Sequence, residues 1–297
     1  MTLLVALGVL LAALGGLSLL FAELLVHPPK KSPTHLTPAS VGLPFEWVSF
    51  PSHDGLRLMG WLIGPNLQKP PVIVLHGYTD TKSSYLDQAR FLFDRGFPSL
   101  LYDQRGHGES ASATVSLGPL EASDLREALR MLRERGRGER FVVWGVSMGA
   151  AAALLAAARL PQIAGVIAES SYERLDRVVA GTARLRFHLP RLPLVPFLLA
   201  AASLLARHNL FRVRIGEAVA KLGNRPLLLV SGERDPRMTP ELGKRLLARS
   251  TGPTEHLVIA GADHAQSWHL GKCLYGEAVL RLLESVGSQR TPPQLAE

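Results

Sequence analysis

Short runs of Val, Ile and Leu recur between residues 45 and 261 and constrain the fold more than any other feature of the chain. The first two flank a turn-like Ser-His-Asp-Gly, which predicts an antiparallel pair. Most later runs are apolar at successive positions, as is typical of strands buried on both faces of a parallel sheet. We predict eight strands, at 45–50, 56–63, 71–77, 97–103, 140–145, 163–170, 225–232 and 255–261.

Helical patterns lie between these runs. Residues 84–96 and 120–136 have apolar residues at helical spacing, and each segment ends at a glycine. Thr239 followed by Pro240 indicates the start of a further helix, because proline is favoured at the first helical position. The alternation predicts an α/β fold with a mostly parallel eight-stranded sheet and helices on both faces.

One interval between predicted strands is too long for a single connecting helix. Residues 177–225 include a strongly apolar stretch, and they hold nine Lys or Arg against one acid, Glu217. The resulting net charge of +8 equals the formal net charge of the whole chain. Basic residues beside an apolar helix favour contact with an anionic membrane surface. The alternative is that the arginines are solvated while the apolar face covers a site beneath.

The first segment of the chain is apolar throughout. Residues 2–22 contain no Asp, Glu, Lys, Arg or His, and about 20 such residues suffice to span a bilayer as a helix. A cleaved signal peptide is the alternative, but no basic residue precedes the run, which exceeds the usual apolar region of roughly 7–15 residues. We therefore predict a single-pass membrane anchor at 1–26. Lys30 and Lys31 follow it and favour a cytoplasmic location for the main domain.

A segment rich in Pro, Ser and Thr separates this predicted anchor from the first strand. We predict a linker at 27–43, one domain at 44–287 and a C-terminal tail at 288–297, since a chain of 297 residues suffices for one large domain. The only cysteine, Cys273, excludes an intrachain disulfide and a cysteine-rich metal site. The sequence has no nucleotide-binding or metal-binding motif, so we expect no cofactor, no metal and no nucleic acid partner. The oligomeric state is left open.

Gly145-Val146-Ser147-Met148-Gly149 follows one apolar run and precedes an alanine-rich segment. This is the G-x-S-x-G pattern in a strand–turn–helix context, in which the glycines permit a tight turn and the serine hydroxyl is raised above the sheet. The following helix N-terminus favours a developing oxyanion. A short glycine pattern also arises by chance in a packed strand–helix junction, but the flanking elements favour Ser147 as a nucleophile.

A serine nucleophile needs a base that is oriented by an acid. The loop after the strand at 225–232 contains Glu233 and Asp235, and His264 follows the last strand. Carboxyl ends of strands are where α/β sheets place their sites, so we predict Asp235 as the orienting acid and His264 as the base. Glu233 is the alternative acid. Asp263 adjoins His264 in sequence and is poorly placed to reach its Nδ1.

Histidines also follow two earlier predicted strands. His76 belongs to Leu-His-Gly-Tyr-Thr-Asp, where loop amides can complete an oxyanion hole, and we expect the backbone N–H groups of Tyr78 and Met148 to form it. His107 lies in Asp-Gln-Arg-Gly-His-Gly-Glu-Ser and is expected to shape the loop beside the site. Four other histidines are expected to be structural or solvated: His53, His188, His208 and His256.

The motifs LHGYTD, YDQRGHGES, GVSMG, SGERD and ADH, in this order, resemble those of the α/β-hydrolase superfamily. The resemblance covers roughly residues 45–287 and is strongest to bacterial membrane-anchored serine hydrolases near the monoacylglycerol-lipase-like and prolyl-oligopeptidase-like branches. It implies that Ser147, Asp235 and His264 form a catalytic triad. It also implies that the insert at about 177–225 is a cap over the site.

The activity that this resemblance implies is hydrolysis of a carboxylic ester, of esterase or lipase type, through an acyl-enzyme on Ser147. The substrate would be a small acyl ester or a lipid-like molecule, reached from solution or from a membrane. A peptidase, amidase, acyltransferase or haloperoxidase would use the same triad. A non-catalytic binding module with this fold is the alternative from another class.

Overall fold

The computed structural model describes residues 2–31, 35–64, 68–187 and 193–288. Parts of three sequence predictions lie outside the described residues: positions 32–34 of the linker, positions 188–192 of the insert with His188, and positions 289–297 of the tail.

Eight strands form one sheet. They are β1 (Phe45–Pro51), β2 (Arg57–Ile63), β3 (Val72–Leu75), β4 (Ser99–Asp103), β5 (Phe141–Val146), β6 (Ile163–Glu169), β7 (Leu227–Gly232) and β8 (Thr254–Ile259). Their order in the sheet is β1-β2-β4-β3-β5-β6-β7-β8. The pairs β1–β2 and β2–β4 are antiparallel, and the remaining pairs are parallel. The predicted eight-stranded, mostly parallel sheet is confirmed.

Helices cover both faces of this sheet. In the described residues the helices are α1 (Thr2–Val26), α2 (Leu86–Phe93), α3 (Pro119–Glu134), α4 (Met148–Ala157), α5 (Leu175–Phe187), α6 (Leu194–Leu205), α7 (Ile215–Ala220), α8 (Pro240–Leu247), α9 (Ser267–Leu270) and α10 (Lys272–Ser288). Side chains of α2 and α10 pack on one face of the sheet, and side chains of α3 and α4 pack on the other.

Strand β5 shows why the central strands are apolar at every position. Val143 belongs to the core on the α3 and α4 side, whereas Val142 and Trp144 belong to the core on the α10 side. All three side chains are fully buried. The Trp144 indole donates a hydrogen bond to Tyr275 Oη at 2.8 Å, so its polar nitrogen is satisfied within that core.

Three helices, α5, α6 and α7, lie between β6 and β7, in the interval predicted to be a cap, and we refer to them as the cap. Several of its basic residues have local partners. Arg177 pairs with Glu173 at 3.0 Å. Arg225 donates hydrogen bonds to the carbonyls of Ala157, Leu160 and Ile163, between the last residue of α4 and the first of β6, at 2.6–3.2 Å. Such contacts satisfy carbonyls that a helix end leaves without intrahelical donors.

The prediction of a membrane anchor at 1–26 is wrong, and so is the prediction of a single-pass membrane location. None of the helices in the described residues is long and apolar enough to cross a membrane. The apolar segment instead forms α1, which packs against α6 of the cap. Ser18, Ala22 and Val26, spaced by four residues on one face of α1, are buried. The apolar side chains of this face therefore pack against protein.

Candidate active site

Ser147 occupies a sharp turn between β5 and α4. Its backbone has φ 54° and ψ −112°, a conformation that non-glycine residues rarely adopt. A Cβ on Gly145 would lie 2.3 Å from the carbonyl oxygen of Gly149, and a Cβ on Gly149 would lie 2.4 Å from that of Leu75. Both positions therefore require glycine because backbone segments meet there. The close backbone packing at the two glycines and the exposure of Ser147 therefore result from the same turn.

The carboxyl ends of β5, β7 and β8 bring three predicted residues together at one edge of the sheet. Ser147 Oγ lies 3.0 Å from His264 Nε2, and His264 Nδ1 lies 2.7 Å from Asp235 Oδ2. Both distances are within hydrogen-bond reach, in the order that activates a hydroxyl nucleophile. The side chain of Asp235 is fully buried, whereas that of His264 is 13% exposed.

Asp235 is held as a carboxylate by its surroundings. Burial alone would raise its pKa, but the hydrogen bond and charge of His264 and the amides of Met238 and Arg237 lower the pKa below its ordinary value of 3.8. Both amides donate to Oδ1 at 2.9 Å, which leaves Oδ2 for His264. An ionised acid in this position fixes the tautomer of the imidazole and stabilises the imidazolium.

The two other acids near His264 have different partners. Glu233 accepts a hydrogen bond from the amide of Gly261 at 2.8 Å. Asp263 accepts one from the amide of His264 itself at 2.6 Å. Asp235 is thus the acid that the fold places on the imidazole.

The predicted oxyanion-hole residues Tyr78 and Met148 both line the cavity at Ser147. Met148 is the first residue of α4, so its N–H has no intrahelical acceptor. Within the described part of the chain, neither the Tyr78 amide nor the Met148 amide has an acceptor. An oxyanion hole requires backbone N–H groups that have no other acceptor, so both amides remain candidates for that role.

Two histidines hold the loop that contains Tyr78. His76 Nε2 accepts a hydrogen bond from the amide of Gln104 at 2.9 Å, and His107 Nε2 accepts one from the amide of Thr79 at 3.1 Å. Burial, together with the neighbouring His76, lowers the pKa of His107 to about 3. A neutral ring can accept through Nε2, so His107 shapes this loop, as predicted.

A cavity of about 400 Å³ opens at Ser147. Its walls come from α1, α5 and α6, from the loop holding Tyr78 and from the loop after β7. Apolar side chains dominate the lining, and in the described residues Arg237 and His264 are its only members with basic side chains. No Asp or Glu of the described residues lines it. The cavity size lies within the roughly 300–1,000 Å³ typical of small-molecule sites.

Sequence reasoning missed Glu169, at the end of β6. Its carboxylate accepts a hydrogen bond from the amide of Ser267 at 3.0 Å, and its carbonyl accepts one from the amide of Ser147 at 2.8 Å. Burial raises the pKa of Glu169 to about 7. An acid that ends an otherwise apolar strand was the available signal. Sequence reasoning also missed the contribution of α1 to the cavity, for which no motif exists.

One cluster of potential metal ligands consists of His53, Asp54 and Asp124. The guanidinium of Arg105 already fills it, donating to Asp124 at 2.6 and 2.8 Å and to Asp54 at 2.8 Å. These contacts lower the pKa of Asp54 to about 2, against an opposing effect of burial. The cluster is an ion-pair network that joins the β1–β2 turn to α3.

Residues 68–194 match the family model described as serine aminopeptidase, S33. A curated relative is the uncharacterised protein YqkD of Bacillus subtilis. It is 25% identical over an alignment of 299 positions, which covers 95% of this chain and 97% of the relative. The polyketide transferase grgF of a Penicillium species is 31% identical over 131 residues, 42% of this chain and 45% of that protein.

Among solved structures, the Pyrococcus furiosus esterase Pf2001 superimposes with a TM-score of 0.71 at 24% identity, covering 88% of this chain and 99% of the esterase. GrgF, described as an α/β hydrolase, superimposes with a TM-score of 0.65 at 22% identity, covering 83% of this chain and all of that one. At these identities the likeness shows the fold, which is the α/β-hydrolase fold.

Proposed function

We propose that this chain belongs to the α/β-hydrolase superfamily and is a serine hydrolase that cleaves carboxylic esters through an acyl-enzyme on Ser147. The observation that carries the proposal is the chain of hydrogen bonds from Ser147 Oγ through His264 to Asp235, at 3.0 and 2.7 Å. The match to a serine peptidase family model and the likeness to an esterase support the same reaction class.

The proposed reaction follows from the positions of these groups. His264 Nε2 takes the proton of Ser147 as Oγ attacks the ester carbonyl, and the oxyanion lies on the amides of Tyr78 and Met148. His264 then protonates the leaving alkoxide, and the acyl group remains on Ser147. Water, deprotonated by the same imidazole, attacks the acyl-enzyme and releases the carboxylic acid. Asp235 stays ionised throughout.

The cavity favours an ester over a peptide as the substrate. Recognition of a peptide N-terminus by its ammonium group calls for a carboxylate, and no described residue lining the cavity is Asp or Glu. Comparison of a p-nitrophenyl ester with the p-nitroanilide of the same acyl group tests this preference. Faster cleavage of the anilide than of the ester would contradict the proposed preference for esters.

Labelling with a fluorophosphonate probe and hydrolysis of p-nitrophenyl butyrate test the proposed nucleophile. We expect Ser147→Ala to abolish labelling and to lower kcat by roughly 10⁶-fold, as loss of the nucleophile does in a serine protease. Ser171→Ala is the matched control, because Ser171 is buried and its hydroxyl has no partner in the described residues. Butyrate hydrolysis by Ser147→Ala at a rate near that of the parent would exclude the mechanism.

Acyl transfer to an acceptor other than water is a second candidate, supported by the likeness to a polyketide transferase. The same acyl-enzyme would form, and an alcohol would replace water in the second step. Product analysis with added alcohols separates the two. A product mixture dominated by the new ester at low alcohol concentration indicates a transferase, whereas free acid as the main product indicates a hydrolase.

A further inference from the structure

The cavity at Ser147 has one wall that comes from outside the sheet and the cap. Phe21, Leu24 and Leu25 of α1 line it, together with side chains of α5 and α6 such as Val178 and Leu198. The N-terminal helix therefore contributes directly to the space in which a substrate would lie.

This wall is held in place by contacts at the C-terminal end of α1. Tyr78 Oη donates a hydrogen bond to the carbonyl of Leu24 at 2.8 Å. The amide of Val115 donates to the carbonyl of Val26 at 2.8 Å. His27 Nε2 lies 2.8 Å from Thr114 Oγ1. The helix is thus tied to the residue that supplies an oxyanion-hole amide and to the loop before α3.

The charged side of the cavity indicates which part of an ester lies against α1. Arg237 and His264 both contact Asp235, the first through its amide and the second through Nδ1, so they lie on one side of the site. The leaving oxygen must be on that side, because His264 protonates it. The apolar side is left for the group that stays bound to Ser147, which is the acyl group.

We propose that the cavity is an acyl-chain pocket with α1 as one wall, and that the substrate is an ester of a fatty acid. This inference rests on the proposed serine hydrolase function. A methylene occupies roughly the 30 Å³ of a water molecule, so a cavity of about 400 Å³ accepts a chain of the order of ten carbons. In this arrangement Phe21 and Leu25 set the acyl-chain length.

A series of p-nitrophenyl esters from acetate to laurate tests the proposal on the full chain. For the parent, each added methylene should raise kcat/KM by up to roughly fourfold until the pocket is full. Leu25→Trp should lower the octanoate-to-acetate ratio at least about tenfold, since steric exclusion in a pocket gives discrimination of this size. Leu25→Ala should shift the preference towards laurate.

Leu20→Trp is the matched control, because Leu20 lies on the same helix and is 57% exposed. It should leave the chain-length profile unchanged. An unchanged chain-length profile in both Leu25 variants overturns the proposal. A second series lengthens the alcohol at a constant acyl group. If the Leu25 variants differ from the parent only in this alcohol series, the proposal is also overturned. Labelling of Ser147 by a small fluorophosphonate and the thermal midpoint show whether each variant keeps its active site and fold.

The outcomes separate this proposal from the function on which it rests. If the parent neither hydrolyses the acetate nor reacts with the probe at Ser147, the serine hydrolase function fails. If the parent does both, and substitution of Leu25 leaves acyl selectivity unaltered, the acyl-pocket proposal fails while the serine hydrolase function stands.

Discussion

At the scale of single residues, the strained backbone of Ser147 and the carboxylate of Asp235 account for the geometry of the site. A non-glycine residue at φ 54° and ψ −112° costs about 1–3 kcal/mol, and it persists only where its surroundings fix it. The close approach of Gly149 to the carbonyl of Leu75 provides that constraint. The turn that is constrained in this way holds the Ser147 hydroxyl within reach of His264.

Asp235→Asn should lower kcat/KM for p-nitrophenyl butyrate by roughly 10⁴-fold, the loss that this change causes in a serine protease. An amide in this position favours the wrong tautomer of His264 and removes the charge that stabilises the imidazolium. Glu233→Gln is the control and should stay within a few-fold of the parent, since Glu233 bonds the amide of Gly261. Equal losses in both variants would contradict the assignment of the acid.

Glu169 predicts a pH dependence of stability. Burial raises its pKa from 4.5 to about 7, so the folded protein binds this proton more readily than the unfolded chain does. The contribution of Glu169 to the free energy of unfolding is therefore fully present below pH 4.5 and falls as the pH rises to about 7. Glu169→Gln stays neutral, so its free energy of unfolding should rise relative to the parent across this window, by about 3 kcal/mol.

Urea denaturation of the parent and of Glu169→Gln at several pH values between 4.5 and 8 measures this difference. Glu233→Gln provides a comparison at an exposed acid of the neighbouring loop. A difference between parent and Glu169→Gln that stays constant with pH would show that Glu169 titrates normally.

The residues of the proposed triad could be identified as candidates from the sequence because each follows an apolar run, in a recognisable order. Glu169 and Arg237 could not be given a role from sequence. Glu169 is buried because the start of α9 and helix α10 close over the end of β6, and neither contact leaves a local pattern. The position of Arg237 at the cavity likewise depends on how its loop folds around Asp235.

At the scale of elements, the junction between β5 and α4 is the tightest part of the site. Gly149→Ala places a Cβ 2.4 Å from the carbonyl oxygen of Leu75 and 2.7 Å from that of His76. Because both contacts are backbone, α4 must move away from β3 and from the loop that contains Tyr78. We expect a loss of at least about 2 kcal/mol in the free energy of unfolding and of most esterase activity.

Gly181→Ala is the control for that substitution. Gly181 lies in α5, and a Cβ there would meet nothing within 4 Å. Alanine is favoured over glycine in a helix interior, so this variant should gain up to about 1 kcal/mol. Thermal unfolding and p-nitrophenyl butyrate hydrolysis compare the two, and a Gly149→Ala protein as active as Gly181→Ala would contradict the packing argument.

The strands were predictable to within two residues at each end. Runs such as Phe141–Val146 are apolar at every position because both faces of the sheet are covered, and this local pattern is sufficient to identify them. The arrangement of the cap helices was less predictable from the sequence. Their sequence shows an apolar segment between basic residues, but not which helix faces the site.

At the scale of the whole molecule, the N-terminal segment is where sequence reasoning failed. The absence of charges over residues 2–22 favoured a lipid environment, yet an apolar helix is equally satisfied by a protein surface. Ser18, Ala22 and Val26 form a buried face of small residues against the rest of the protein. Spacing by four residues is a helix-packing pattern, and a judgement based on overall apolarity overlooks it.

The buried face of α1 predicts that this helix is part of one folded unit with the cap and the sheet. Ala22 is fully buried in the core shared with α6, so Ala22→Asp places an unpaired carboxylate in an apolar contact. We expect the helix to detach or the free energy of unfolding to fall by at least about 2 kcal/mol. Leu20→Asp puts the same charge on an exposed position of the same helix and should change stability by no more than about 0.5 kcal/mol.

Limited proteolysis and urea denaturation of the full chain distinguish these variants. In Ala22→Asp, cleavage near residues 27–31 should accelerate, and the octanoate-to-acetate ratio should fall because the pocket loses the wall that contains Leu25. Leu20→Asp should match the parent in both measurements. If the two variants are cleaved at equal rates and keep the same ester preference, α1 is not docked as the structure has it and does not form a wall of the proposed acyl-chain pocket.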